Sequence, residues 1–141
     1  MRIREPWCRK SRRTTGAFGR SILVLADVSG IPDHMIIGVP KEVKIGEKRV
    51  SMTPSLCRRV TSLGAKVIME KNAGMTAGFT DAEYKAAGAT FATSAEKVWK
   101  SADMILKVKE PLESEFGLMQ QGQTIFTYLH LAAGASLAKQ L

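Results

Sequence analysis

The chain has 141 residues, 45% of them apolar, and a formal net charge of +8, which suits one domain with a modest core. No apolar run approaches the roughly 20 residues of a membrane-spanning helix, and residues 22–26 fall short of the apolar core of a secretory signal, about 7–15 residues. Cys8 and Cys57 stand far apart, in neither a disulfide framework nor a metal-ligand spacing, so a reducing, cytoplasmic setting and no metal are expected.

Positive charge is densest at the start. Residues 1–34 carry Arg2, Arg4, Arg9, Lys10, Arg12, Arg13 and Arg20 against Glu5, Asp27 and Asp33. This segment reads as a basic, irregular extension in front of a domain that begins at Met35. An arginine-rich, acid-poor start is also the composition of an organellar transit peptide or of an arm for phosphate backbones. With only Trp7 and Phe18 to interleave, a nucleic-acid partner is the weakest of these readings. A solvated extension, or sequence translated ahead of a true start at Met35, is the plainest.

From Met35 the pattern alternates between strand and helix. Residues 36–39 form a short apolar run stopped by Pro40, which predicts a first buried strand. The charged segment 41–51, with Gly46, predicts an exposed loop. Thr53 and Pro54 make an N-cap followed by proline at the first helical position, Leu56, Val60 and Leu63 give the apolar stripe, and Gly64 suits the end. Residues 66–69 predict a second strand. Thr80 and Glu83 form one capping box, Thr93 and Glu96 a second, and residues 89–92 between their helices read as a weak third strand.

The last third carries the chemistry. Residues 104–109 and 124–129 are strand-like, ending near Lys109 and His130, and between them a helix is expected from Pro111 to Gln121 on the spacing of Leu112, Phe116 and Met119. A final helical pattern covers 135–141. Five strands alternating with helices predict an α/β domain with a mainly parallel five-stranded sheet, Rossmann-like in architecture. In such sheets ligands bind outside the carboxyl ends of the strands.

On that topology Arg49, Lys109 and His130 belong to one edge. A guanidinium fits a carboxylate as a planar fork. A lysine supplies a second cation and a donor to a carbonyl oxygen. An imidazole, with a pKa of about 6.5, moves protons near neutrality. Together they suit a small α-keto or α-amino acid. Each also has a plain reading: Arg49 as an ordinary loop charge, Lys107 and Lys109 as alternate positions on a solvated strand face, His130 as a core histidine. Neither the dinucleotide fingerprint G-x-G-x-x-G, nor a phosphate-binding G-x-x-x-x-G-K-[ST], nor a G-x-S-x-G elbow occurs in these 141 residues.

The stretches MIIGVPKEVKIGEKRVSMTP, GFTDAEYKAAGA, AEKVWKSADMILKVKEPLESEFG and FTYLHLAA closely resemble the amino-terminal part of the bacterial alanine dehydrogenases, within the alanine dehydrogenase and pyridine nucleotide transhydrogenase group. The resemblance covers residues 35–133. It implies reversible NAD-linked oxidative deamination of L-alanine to pyruvate and ammonia. It also implies that Arg49 binds the substrate carboxylate, Lys109 contacts the substrate and polarises its carbonyl or imine, and His130 is the general acid/base, with Tyr128 as a supporting neighbour. The transhydrogenase α subunit is similar at its start but does not usually carry the KVKEP and YLHLAA pair.

In that family a nucleotide-binding domain with the glycine fingerprint follows this segment. The expectation is therefore a substrate-side domain over 35–141, cut before the NAD-binding domain and inactive alone. Its expected partners are alanine or pyruvate, a further copy, or a complementing carboxyl-terminal chain. A non-catalytic binding module is the competing class.

Overall fold

The computed structural model describes residues 35–130 and 135–140, so the expectation of a basic extension over 1–34, with Cys8, lies outside the described residues. The elements run β1 Ile36–Val39, α1 Pro54–Ser62, β2 Lys66–Glu70, α2 Asp81–Ala86, β3 Thr90–Ala92, α3 Ala95–Ser101, β4 Met104–Lys109, α4 Glu113–Phe116, β5 Thr124–Tyr128 and α5 Ala135–Gln140. The five strands form one sheet in the order β3-β2-β1-β4-β5, and every pair is parallel. The expected architecture is the one found. The order turns around between β1 and β4, which makes the carboxyl ends of these two strands the switch point of the sheet.

Alternation along β1 divides the core. Ile37 and Val39 point to one face and pack with Cys57 of α1, Tyr84 of α2 and Ala87, which caps the end of α2. Gly38 points to the other, where a Cβ would lie 2.7 Å from that of Ala102 and 2.9 Å from Val98 and Ile105. There a glycine is needed so that α3, through Val98 and Trp99, can close on the sheet. Tyr84 is fully buried and donates its hydroxyl to the Met52 carbonyl at 2.6 Å. Burial pushes its pKa up to about 12.

The helix ends follow the local rules where side chains are free to obey them. Thr53 accepts from the Leu56 N–H with Pro54 behind it, and Thr80 and Glu83 cap each other reciprocally at 3.3 and 2.7 Å. Two expectations are corrected. The box at Thr93 and Glu96 does not form: Ser94 is the N-cap of α3, and the Thr93 hydroxyl is engaged by Lys97 at 3.2 Å.

The helix expected from Pro111 to Gln121 shrinks to α4. Past Gly117 the chain bends so that the side-chain amide of Gln120 donates to the Trp99 carbonyl and that of Gln123 to both Trp99 and Ala102. These bonds satisfy the bare carbonyls at the end of α3, and that requirement wins over helical spacing.

Candidate functional site

Three segments meet at the switch point: the β1–α1 loop, the end of β4 and the end of β5. The loop is exposed along most of its length, as expected, at Lys41, Val43, Ile45, Gly46, Lys48 and Arg49, and it is also strapped to β4. Glu42 accepts the Val108 N–H at 2.7 Å, and the Ser51 hydroxyl donates to the Leu106 carbonyl at 2.7 Å. Beneath them Lys107 is buried, its ammonium 2.8 Å from Glu115 and 3.5 Å from Glu42, with all three side chains at most 5% exposed. Lys107 is therefore not part of a solvated strand face. A charge at that depth persists only because it is paired on both sides.

Arg49 is carried by this loop. Glu47 meets it three times, accepting from its backbone N–H at 2.9 Å, from Nε at 2.8 Å and from Nη2 at 2.6 Å. Hydrogen bonding from Arg49 is the main reason the Glu47 carboxyl titrates at about 2, and the charge of Lys109 adds to it. Lys109 is the last residue of β4, as expected, and is half-buried.

His130 lies two residues beyond the end of β5 rather than within it. Its backbone is left-handed, with φ 46°, uncommon for a residue with a Cβ. Its side chain is 53% exposed, so it is no core histidine, and Nδ1 is 3.1 Å from the Tyr128 carbonyl and 3.4 Å from Glu110 Oε2. Glu110 in turn is ion-paired with Lys44, whose hydrogen bond holds the carboxyl below its ordinary range. The rings of Tyr128 and His130 are neighbours at 6.4 Å.

The rim is thus a set of cations and an imidazole, with Glu47 against Arg49 and Glu110 against both Lys44 and His130. Glu42, Glu47, Glu110 and Glu115 were not singled out from the sequence. The single local cue was the i, i+2 spacing of Glu47 and Arg49, since the others are paired only by the fold.

The described residues do not fit a dinucleotide. Such a site needs a glycine-rich turn opening directly into a helix, so that backbone N–H groups reach the pyrophosphate. Here α1 is capped by its own Thr53 and preceded by a long charged loop, and the space beside Gly74 is filled by the Tyr84 ring. Among the described residues no group of three or more His, Cys, Asp or Glu could hold a metal ion, and no helix is long and apolar enough to cross a membrane.

A parallel sheet with helices on both faces and charged groups gathered over its switch point defines a Rossmann-like α/β domain. The chain belongs to the family described as "Alanine dehydrogenase/PNT, N-terminal domain", whose model matches residues 38–141. It is 51% identical over 107 residues to the alanine dehydrogenase of Methanococcus maripaludis, covering 76% of this chain and 29% of that protein. Against the alanine dehydrogenase of Bacillus subtilis it is 46% identical, with 76% and 28% covered.

A solved L-alanine dehydrogenase superposes with a TM-score of 0.74 at 50% identity, over 76% of this chain and 29% of that one. The transhydrogenase from Sinorhizobium meliloti gives 0.70 at 28% identity, over 74% and 31%. The chain therefore spans less than a third of the length of these relatives.

Proposed function

We propose that residues 35–141 are the substrate-side domain of an NAD-dependent alanine dehydrogenase, with residues 1–34 an extension outside it. The enzyme so assembled would interconvert L-alanine with pyruvate and ammonia in the cytoplasm. The carrying observation is that Arg49, Lys109 and His130 all belong to segments leaving the carboxyl edge of the sheet at β1, β4 and β5.

In this reading the Arg49 guanidinium takes the substrate carboxylate, and Lys109 donates to the carbonyl oxygen or imine nitrogen, drawing electrons from the central carbon. The Nδ1 side of His130 is already engaged by Tyr128 and Glu110, which leaves Nε2 for the substrate. The neutral ring removes a proton from the water that adds to the imine carbon. The imidazolium returns that proton to the amino group, the C–N bond breaks to release ammonia, and the hydroxyl proton passes back to the ring as the carbonyl forms. Hydride acceptance belongs to a nicotinamide that the described residues do not hold, so no such step is derived from this chain.

Full-length protein titrated with pyruvate, followed by NMR line broadening of the ligand, tests the reading. Arg49→Ala is expected to weaken binding by at least about tenfold, the equivalent of one charge-assisted hydrogen-bonding contact of roughly 1.5–3 kcal/mol. Equal binding by the variant would overturn it. The 141-residue chain alone is expected to give no alanine-dependent NAD reduction. Turnover appearing when the carboxyl-terminal part of a relative is added would support a complementing partner.

A further inference from the structure

Glu47 and Arg49 are two residues apart, yet their side chains are treated very differently by the fold. The Glu47 side chain is 6% exposed and that of Arg49 is 65% exposed. The anchor is inside and the fork is outside. Glu47 is turned inward by a tight bend, in which its N–H donates to the Lys44 carbonyl at 3.0 Å and Gly46 takes φ 82°, a left-handed conformation that glycine adopts without strain. The bend itself cannot swing away, because Glu42 and Ser51 fasten the same loop to β4 on either side.

The contacts are specific as to edge. Nε–H and one N–H of Nη2 lie on the same side of the guanidinium, and Glu47 takes both with its two oxygens at 2.8 and 2.6 Å while also holding the Arg49 backbone N–H. That leaves the opposite, end-on edge, made of Nη1 and the second N–H of Nη2, as a pair of parallel donors facing outward. A free arginine on a surface loop samples many rotamers, and ordering one on binding lowers affinity. Here the ordering is already done.

We propose that Glu47 is a positioning residue: it grips the Arg49 guanidinium by its side-on edge and so presents the end-on edge, in one orientation, to the carboxylate of an incoming α-keto or α-amino acid. This rests on the reading of Arg49 given under Proposed function. A carboxylate arriving from solvent has no means of taking the inner edge, because Glu47 holds it through two contacts, with a third to the Arg49 backbone N–H, all closed within one short turn. The Glu47 carboxyl, lowered by its hydrogen bonds from Arg49 to about 2 from an ordinary 4.5, stays ionised at every pH at which the enzyme would work. The stabilisation it lends is complete above about 4.5 and is lost only as pH falls toward 2.

The test uses the full chain labelled with 15N and two variants. In the wild-type protein the Arg49 Nε–H is expected to give a sharp, slowly exchanging resonance that does not move when pyruvate is added, while the Nη resonances do. Glu47→Gln, which places an amide N–H where Nη2 needs an acceptor, is expected to broaden the Nε–H resonance and weaken pyruvate binding by about three- to tenfold. Tighter pyruvate binding by Glu47→Gln, or a wild-type Nε–H that shifts with pyruvate, would mean that Glu47 competes with the substrate, and would overturn the proposal alone. Arg49→Ala binding pyruvate as well as wild type, or no change at any Arg49 resonance, would remove the underlying reading and this inference with it.

Discussion

The two halves of the sheet are built on different principles. In the half made of β3, β2 and β1, side chains are fixed by apolar burial: Val39, Val67, Met69 and Tyr84 are almost wholly shielded, and α1, α2 and α3 lie against these strands. In the half made of β4 and β5 the apolar contacts narrow to Ile105 and its neighbours, Ile125 among them, and buried or half-buried charges are added to them. Lys107 is clasped by Glu42 and Glu115, Glu110 joins Lys44 and His130, and β5 has no fully buried residue. One half is stable because its neighbours are interchangeable hydrocarbon. The other adds specificity, because Lys107, Lys44, Arg49 and His130 each have a named carboxylate partner.

The largest effect should come from breaking a charge rather than from opening the apolar core. Lys107→Ala leaves two carboxylates, 5% and 4% exposed, facing one another without their cation. Losing one member of a buried ionic cluster costs about 3–5 kcal/mol. Urea unfolding should show this as a fall in the midpoint at constant slope. A loss under about 1 kcal/mol would mean that water reaches Glu42 and Glu115, and the contrast between the halves would fail.

Gly38→Ala probes the apolar half and should cost less. The added methyl meets Ala102 Cβ at 2.7 Å, and Val98 and Ile105 at 2.9 Å. Ala102 cannot turn away, since its Cβ is fixed to the backbone at the end of α3. Overpacking of this kind costs about 1–3 kcal/mol, read from the same urea curves. A neutral result would show α3 free to move off the sheet.

The same division decides how much could be read from the text. The strands, their parallel order class and the caps at Thr53 and Thr80 were legible because each depends on neighbours within a few residues or on simple alternation. The shortened α4 was not, because Gln120 and Gln123 answer to carbonyls at Trp99 and Ala102, some twenty positions back. The strap was not legible either, since Glu42 pairs with Lys107 and Val108 across more than sixty residues and nothing local marks it. Arg49, Lys109 and His130 could be singled out as candidates because strand ends share an edge in any parallel sheet. Glu47 beside Arg49 had a local cue in their i, i+2 spacing, whereas Glu110 as the neighbour of both Lys44 and His130 is shown only by the fold.

The smallest effect is expected where the contrast is sharpest, on β5. Phe126 and Tyr128 alternate on its outer side and are 65% and 74% exposed, so neither surrenders much contact with water on folding. Phe126→Ser should therefore change stability by no more than about 0.5 kcal/mol, the usual range for an exposed position. Measuring the urea midpoint at two protein concentrations gives this small number its force. If the substitution costs 2 kcal/mol or more, and the wild-type midpoint rises with concentration, Phe126 is covered in solution by another chain, because only association makes stability depend on concentration. If the cost is small and the midpoint does not move, the Phe126 side chain adds little to the fold and stays uncovered in solution, and β5 is held through its inner residue Ile125, packed with Ile105.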